Sequence, residues 1–268
     1  MRTTVLIPLH RSSPWRPLVA ANVERLHGHC RIVLSDAHEH DDTLARLREH
    51  VSDFPGVSTV GARDLASGWV AHVNDLMTRA DTEFAMWLPH DDEIGPEWIL
   101  EAERALDRRR DAAIACGHLA SSMHSEPDLA VSLAPDPVLA SRSRIRRLSR
   151  AIVHIEHGDP ALLGMLFRGV MRRELVPPMP ERDEFGSWSD ILWALSLLSR
   201  GAAAPTTAQY EKTWHRTSTV HQWTDARDDR EQLRLDIDRA LAELPARTRA
   251  MVDWAARRRA PRQRVGDT

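Results

Sequence analysis

Short apolar runs alternate with amphipathic segments along the first part of the chain. Thr3–Leu9 and Arg31–Leu34 are apolar runs, and between them Val19, Val23 and Leu26 recur at helical spacing. Short apolar runs separated by helices are typical of buried parallel strands. The pattern therefore predicts an α/β sheet.

The alternation continues as far as Cys116. It predicts further helices over 43–51, 69–80 and 96–106. It predicts further strands over 57–60, 84–88 and 112–116. A mostly parallel, Rossmann-like sheet flanked by helices follows from this order.

The pattern is less regular after Gly117. Residues 121–136 are polar and contain prolines, and 161–175 is an apolar stretch that is helical or mixed. Further helices are predicted over 142–150, 190–198 and 228–254, the last broken at Pro245. We expect Gly201 to be the C-cap of the helix over 190–198. We expect the arginine-rich residues 257–264 to form a disordered tail.

Composition excludes several classes of protein. The 268-residue chain has a net charge of -3, so it carries no overall field for nucleic acid. Its longest apolar run, Ile191–Leu198, is far shorter than the roughly 20 residues of a membrane span. Cys30 and Cys116 form no CxxC motif, which favours a reducing, cytoplasmic location. The arginines at 142–150 and 257–264 leave open a peripheral contact with the inner face of a membrane.

A polar cluster follows the predicted strand over 84–88. Pro89 and His90 are followed by Asp91, Asp92 and Glu93. Open α/β sheets bind ligands at the carboxyl ends of their strands, so this cluster marks a candidate site. Two acids before a helix can also serve its N-terminal dipole, and that alternative needs no ligand.

Two motifs extend this candidate site. Residues 36–43 follow the second strand with the sequence DAHEHDDT, and Asn74 precedes the 88–92 cluster at a fixed distance. With the proline-containing turn at 7–10, these segments resemble the family 2 glycosyltransferases of the GT-A fold. Two later segments, 186–190 and 210–216, are similar to the acidic and the His-Arg segments of that family.

The resemblance implies a GT-A domain over 1–225 and a helical C-terminal extension. Within the domain it implies a nucleotide-binding half over 1–120 and an acceptor half over 121–225. Residues 226–268 are expected to form C-terminal helices and a basic tail.

The resemblance also implies a donor, a nucleoside diphosphate sugar. A UDP-sugar is the first expectation, and GDP- or dTDP-sugars are alternatives. The acceptor is expected to be a glycan, a lipid-linked molecule or a small molecule. The residues expected to contact the donor are Pro8, His10, Asp36, Asn74, Asp91 and Asp92, with Asp36 facing the nucleobase and Asp92 either on the ribose or behind the cation.

The chemistry of transfer assigns two further roles. A divalent cation, Mn²⁺ or Mg²⁺, neutralises the charge on a departing diphosphate, and Asp91 with His215 is the expected ligand set. Asp190 is the expected general base for the acceptor hydroxyl. A single base and direct displacement imply inversion at the anomeric carbon. Taken alone, an aspartate at this position is more often a helix N-cap than a catalytic base, so the catalytic role of Asp190 rests on the resemblance.

The chain departs from the family pattern at three positions. Pro89 replaces the first acid of the D-x-D cluster, Val73 the arginine before Asn74, and Leu76 a glycine. A catalytically degenerate GT-A-like binding domain therefore remains an alternative. A metal-dependent hydrolase built on His38 and His40 is a weaker one, because no convincing set of further histidines and an aspartate follows later strands. The H-x-H-x-D-H pattern of another metallohydrolase class also fails, because Thr43 stands where its last histidine would be.

Overall fold

A computed structural model describes residues 1–10, 12–36, 41–61, 68–123, 126–157, 161–180, 186–214 and 230–259. The predicted alternation of strands and helices is confirmed in the first half. The bounds of α2 and β3 agree with the prediction to the residue. The elements are β1 (Thr3–Leu9), α1 (Arg16–Leu26), β2 (Arg31–Asp36), α2 (Thr43–Val51), β3 (Val57–Val60), α3 (Trp69–Thr78) and β4 (Phe84–Trp87).

The second half adds strands that the apolar pattern did not reveal. Short 3₁₀ turns at Met165–Arg168 and Arg173–Leu175 flank β8, so the 161–175 stretch is mixed. The elements are β5 (Asp92–Glu93), α4 (Pro96–Arg108), β6 (Ala112–Met123), β7 (Glu126–Leu133), α5 (Arg144–His157), α6 (Ala161–Gly164), β8 (Val170–Arg172), α7 (Gly186–Arg200), β9 (Ala202–Trp214), α8 (Arg230–Ala240) and α9 (Ala246–Arg259).

The described strands form one sheet in the order β3-β2-β1-β4-β8-β6-β9-β5, with β7 beside β6. The four strands from β3 to β4 are parallel. Beyond them β8 runs antiparallel to β4 and β6, and β5 runs antiparallel to β9. The fold is thus α/β as predicted, with a parallel first half and a mixed second half.

The structure differs from the sequence pattern at three places. Within the polar stretch 121–136, β6 continues to Met123 and pairs with β7 as a hairpin. Arg257–Arg259 belong to α9, and the rest of the predicted tail lies outside the described residues. Gly201 directly follows α7, in the predicted C-cap position, and its amide donates to the Leu197 carbonyl at 3.1 Å, but its backbone is not left-handed. A Cβ there would lie 2.6 Å from the Ala113 nitrogen, so close packing requires the glycine.

The C-terminal helices pack against the rest of the chain. Leu233 and Ile237 of α8 and Val252 of α9 belong to the same hydrophobic core as the sheet. Arg259 of α9 donates hydrogen bonds to α5, one of them to the Arg146 carbonyl at 3.0 Å. None of the described helices has the length and apolar character that a membrane crossing requires.

Candidate active site

A cleft of about 510 Å³ opens at the carboxyl edge of the parallel strands. Because β1 and β4 are neighbouring parallel strands, the segments that follow them leave the sheet side by side. His90 Nδ1 lies 3.4 Å from the carbonyl oxygen of Pro8. The cleft is lined by Pro8, Leu9, His10, Trp69, His72, Pro89, His90, Asp91, Phe167, Arg168 and Asp190.

Four predicted site residues meet in this cleft. Pro8 and His10 come from β1 and its end, Asp91 from the loop after β4, and Asp190 from α7. The two carboxylates therefore face one space although α7 is far from β4 in sequence. This juxtaposition is the central feature of the site.

Asp91 is partly exposed in the cleft wall. Within the described part of the chain, its carboxylate takes part in no hydrogen bond or ion pair. It does not cap α4, because the residue before that helix is Gly95. A cleft carboxylate without a partner among the described residues suits a Mg²⁺ or Mn²⁺ ion that is held mainly by phosphate oxygens and water.

Asp190 lies inside α7, four residues after the helix begins. It is therefore not the N-cap, and its Oδ1 accepts a hydrogen bond from the Ile191 amide at 2.9 Å. Burial raises the pKa of Asp190 to about 7, while the nearby Arg168 guanidinium acts in the opposite direction. A carboxylate with a pKa near neutral is well matched to accept a proton from a hydroxyl.

Asp92 lies behind the cleft wall, not in it. Its carboxylate is fully buried, and Oδ2 accepts hydrogen bonds from Arg168 Nε at 2.8 Å and Tyr210 Oη at 2.9 Å. Lys212 Nζ faces Oδ1 at 3.5 Å. Burial opposes ionisation, but Arg168, Lys212 and Tyr210 together lower the pKa of Asp92. Asp92 is thus the anionic centre of a buried cluster.

Backbone pairing holds this cluster in place. β5 pairs antiparallel with β9 so that Asp92 lies directly opposite Lys212. The buried Asn22 side chain donates to the Asp92 carbonyl at 2.9 Å. Trp98 Nε1 donates to the Arg168 carbonyl at 3.1 Å, which fixes the backbone that carries the guanidinium.

Aromatic rings form another part of the cleft wall. Trp69 is 42% exposed and meets Phe167 edge-on, with ring centroids 5.5 Å apart. Phe167 in turn stacks on Trp87 at 4.8 Å, inside the core. An exposed indole on a rigid support offers a flat apolar face beside the two carboxylates.

The remaining predicted donor contacts lie elsewhere. Asn74 uses its side-chain amide to hold Met179: Nδ2 donates to the Met179 carbonyl at 2.9 Å, and Oδ1 accepts from the Met179 amide at 2.7 Å. Asp36 is buried at the end of β2, opposite Leu9 of β1, and is not part of the cleft wall described above. His215, His38 and His40 lie outside the described residues.

No group of three or more His, Cys, Asp or Glu side chains suited to a metal comes together in the described ranges. Asp91 is the carboxylate that fits a cation there. The Asp92 carboxylate is enclosed by Arg168, Tyr210 and Lys212, so it is not accessible as a ligand from the cleft.

The chain's sequence matches no protein-family model and no curated protein. Its structure matches S. aureus TarS residues 1–349 in complex with UDP-GlcNAc, with a TM-score of 0.63, 17% identity, and coverage of 96% of this chain and 70% of that one. It also matches the mannosyltransferase PcManGT from Pyrobaculum calidifontis in complex with GDP-Man and Mn²⁺, with a TM-score of 0.57, 16% identity, and coverage of 96% and 72%.

A third match is glucosyl-3-phosphoglycerate synthase from Mycobacterium tuberculosis in complex with Mn²⁺, UDP and glucosyl-3-phosphoglycerate. Its TM-score is 0.53 at 12% identity, with coverage of 91% of this chain and 81% of that one. The chain has the GT-A fold. Structural similarity at 12–17% identity shows the fold and not the function of this chain.

Sequence reasoning missed the three residues that surround Asp92. Arg168 was hidden among many arginines, and a lone arginine in such a chain carries little signal. Lys212 and Tyr210 did carry one, because they are the only lysine and the only tyrosine of the chain. Tyr210 and Lys212 lie two positions apart on β9, a strand that was not predicted, and both contact the buried Asp92 carboxylate.

Proposed function

We propose that this protein transfers a sugar from a nucleoside diphosphate to an acceptor hydroxyl in the cleft at the carboxyl edge of its GT-A sheet. The observation that carries the proposal is the meeting of Asp91 and Asp190 in that cleft. The protein is then a cytoplasmic hexosyltransferase of family 2 type.

The donor is proposed to be a UDP-sugar, with GDP- and dTDP-sugars as alternatives. Complexes of similar structures with UDP-GlcNAc and with GDP-Man and Mn²⁺ support this class. Asp91, with His215, would hold a divalent cation. When bound, such a cation supplies charge neutralisation for the departing diphosphate. His10 and the Pro8 backbone border the same space and would contact the nucleotide, with Asp36 and Asn74 as further predicted contacts.

Asp190 is proposed as the general base. Its carboxylate removes the proton of the acceptor hydroxyl as the oxygen attacks the anomeric carbon, and the bond to the diphosphate breaks on the opposite side. One displacement with one base inverts the configuration. Partial burial supports this role, because it keeps the carboxylate basic enough to accept a proton near neutral pH.

Asp91→Ala is expected to weaken the binding of nucleoside diphosphate in Mn²⁺ by about tenfold or more and to leave binding in EDTA unchanged. The reason is that Asp91 is the free carboxylate of the cleft and acts through the cation. Isothermal titration with UDP and GDP in the two conditions measures this. Equal losses in Mn²⁺ and in EDTA would contradict a metal-ligating role.

The degenerate binding domain and the hydrolase predict different results. A purified protein that releases UDP or GDP from a sugar nucleotide in Mn²⁺ is not a degenerate domain. The hydrolase at His38 and His40 predicts retained zinc and no nucleotide binding. Release of nucleotide that depends on Asp190 supports the transferase.

One exposed face of α9 combines apolar and basic side chains and bears on the class of acceptor. Arg247, Met251, Trp254 and Arg258 recur at spacings of three and four residues, so they lie along one face of the helix. Met251 and Trp254 are 46% and 58% exposed, and the Arg258 guanidinium lies 4.2 Å from the centre of the Trp254 ring. Exposed tryptophan between arginines is typical of helices that rest on anionic lipid headgroups. We propose peripheral membrane contact and a lipid-linked acceptor, before a soluble glycan or small molecule.

Arg258→Gln is expected to weaken binding to phosphatidylglycerol vesicles about fivefold, which corresponds to about 1 kcal/mol for one basic residue at an anionic surface. Trp254→Ala is expected to weaken it as well, whereas Arg104→Gln, an exposed arginine of α4, is the matched control. Vesicle flotation measures all three. Flotation that is absent, or equal with neutral lipid, would contradict membrane contact.

A further inference from the structure

The cleft contains a buried basic side chain for which the proposed mechanism has no use. Arg168 lines the cleft together with Phe167 and Asp190, and 12% of its side chain is exposed. Apart from the histidines it is the one basic residue of the described cleft wall. Burying a guanidinium costs free energy unless its N–H groups are paired. We therefore expect Arg168 to have one partner in the protein and another in the cleft.

The partners of Arg168 on the protein side are known. Its Nε donates to Asp92 Oδ2 at 2.8 Å, and Nη1 lies 3.4 Å from the Gly164 carbonyl. The guanidinium carbon is 5.9 Å from the centre of the Tyr210 ring. These contacts fix the plane of the guanidinium. They use Nε and one terminal nitrogen, which leaves further N–H groups at the exposed end of the side chain.

A second basic group lies behind Arg168. Arg168 and Lys212 both face the carboxylate of Asp92, and Tyr210 is a neutral donor to the same carboxylate. Burial and the charge of Arg168 lower the pKa of Lys212, whereas the charges of Asp92 and Asp91 act in the opposite direction.

The guanidinium of Arg168 is held in the cleft wall by its bond to Asp92, so it is suited to bind phosphate oxygens directly. Guanidinium groups bind phosphate in a planar, two-hydrogen-bond geometry.

We propose that Arg168, oriented by Asp92 and backed by Lys212, is a phosphate-binding residue of the cleft that works without a metal ion. This inference rests on the proposed function when the phosphate is the diphosphate of the donor. A phosphorylated acceptor is the second source of the same chemistry. In either case Arg168 contacts the substrate directly.

The test uses inorganic pyrophosphate in excess EDTA, measured by isothermal titration. Arg168→Lys keeps a positive charge beside Asp92, so the fold is preserved, but it loses the planar pair of donors. It is expected to bind pyrophosphate at least tenfold more weakly than wild type. Arg172→Lys is the matched control, because Arg172 is similarly buried in β8 but donates to the Ala112 and Leu106 carbonyls instead. Thermal unfolding of both variants checks that the fold is intact.

The source of the phosphate is separated by adding two further probes. If Arg168→Lys also weakens the binding of UDP or GDP in EDTA, the residue binds the donor diphosphate. If the variant weakens the binding of glycerol phosphate and leaves nucleotide binding unchanged, the residue binds a phosphorylated acceptor. Both outcomes support Arg168 as a phosphate-binding residue.

Two results overturn the inference. One is pyrophosphate binding to Arg168→Lys at the wild-type affinity, and the other is no pyrophosphate binding to wild type in EDTA. The proposed function fails separately, when no nucleoside diphosphate binds in either EDTA or Mn²⁺. Nucleotide binding that requires Mn²⁺, together with pyrophosphate and glycerol phosphate binding that Arg168→Lys leaves unchanged, would leave the proposed function standing and remove this inference.

Discussion

Asp190→Asn is expected to lower the rate of sugar transfer by about 10²- to 10⁴-fold while leaving the Kd for the nucleotide within about twofold. The asparagine has nearly the same shape, and it can still accept the hydrogen bond from the Ile191 amide. It cannot take a proton from the acceptor. The loss therefore falls on kcat, which is measured from nucleotide release at saturating donor.

The pH dependence of the wild-type enzyme follows from the same residue. Because burial raises the pKa of Asp190 to about 7, the carboxylate is mostly protonated at pH 6 and mostly ionised at pH 8. A base must be ionised to act, so kcat is expected to rise about tenfold per pH unit below pH 7 and to level off above it.

Thermal stability gives a readout that is independent of activity. A carboxyl whose pKa is raised in the folded state stabilises the fold while it is protonated, and this stabilisation is lost as pH rises through about 7. Asp190→Asn has no such loss. Its Tm relative to wild type is therefore expected to be higher at pH 8 than at pH 5, by roughly 2 °C or more.

The control for these measurements is Asp238→Asn, which changes an exposed carboxylate of α8. It should leave kcat, its pH profile and Tm unchanged. Transfer by Asp190→Asn at the wild-type rate would show that another group removes the proton. A flat kcat between pH 5 and 8 would show the same.

Asp92→Ala is expected to lower the free energy of unfolding by about 3–5 kcal/mol. The substitution leaves Arg168 and Lys212 buried side by side with no acid between them. It also removes the acceptor of the Tyr210 hydroxyl. Urea unfolding followed by circular dichroism measures the loss.

The adjacent acid is a matched control for this prediction. Asp91→Ala removes the same group one position earlier, from the cleft wall, and is expected to change the free energy of unfolding by less than about 0.5 kcal/mol. Equal stability of the two variants would show that the buried cluster around Asp92 does not stabilise the pairing of β5 with β9. If Asp91→Ala were the less stable of the two, the assignment of the two acids would be reversed.

The pair Asp91 and Asp92 illustrates what the sequence reveals about the site. That acids follow β4 at a ligand-binding edge could be predicted, since the apolar run before them ends abruptly. Which acid faces the cleft could not be predicted, because it depends on the pairing of β5 with β9. That pairing joins segments more than a hundred residues apart.

The parallel strands β1, β2 and β4 were predictable because each is a short apolar run that is buried on both faces. β9 was missed for a physical reason. Its first half is small residues with Pro205, and a proline normally excludes a central strand. In the structure the register between β6 and β9 shifts between Cys116 and His118, next to Pro205, so the sheet accommodates it.

Arg168 was also beyond sequence reasoning. It follows an apolar stretch in a chain that is rich in arginine, and nothing local distinguishes it from Arg172 or Arg173. Only the folded position, between Asp92 behind and the cleft in front, separates a ligand-facing arginine from a structural one. Burial next to the carboxylate is the deciding property.

The measurement that tests the central claim most directly is a thermal-shift panel of UDP, GDP, dTDP and CDP, each with Mn²⁺ and with EDTA. If the cleft binds a nucleoside diphosphate, one of the four is expected to raise Tm by roughly 5 °C or more at a hundredfold excess over its Kd, with the larger shift in Mn²⁺. That nucleotide names the donor class. An unchanged Tm with all four nucleotides, in both conditions, would contradict the proposal that this protein is a nucleotide-sugar transferase.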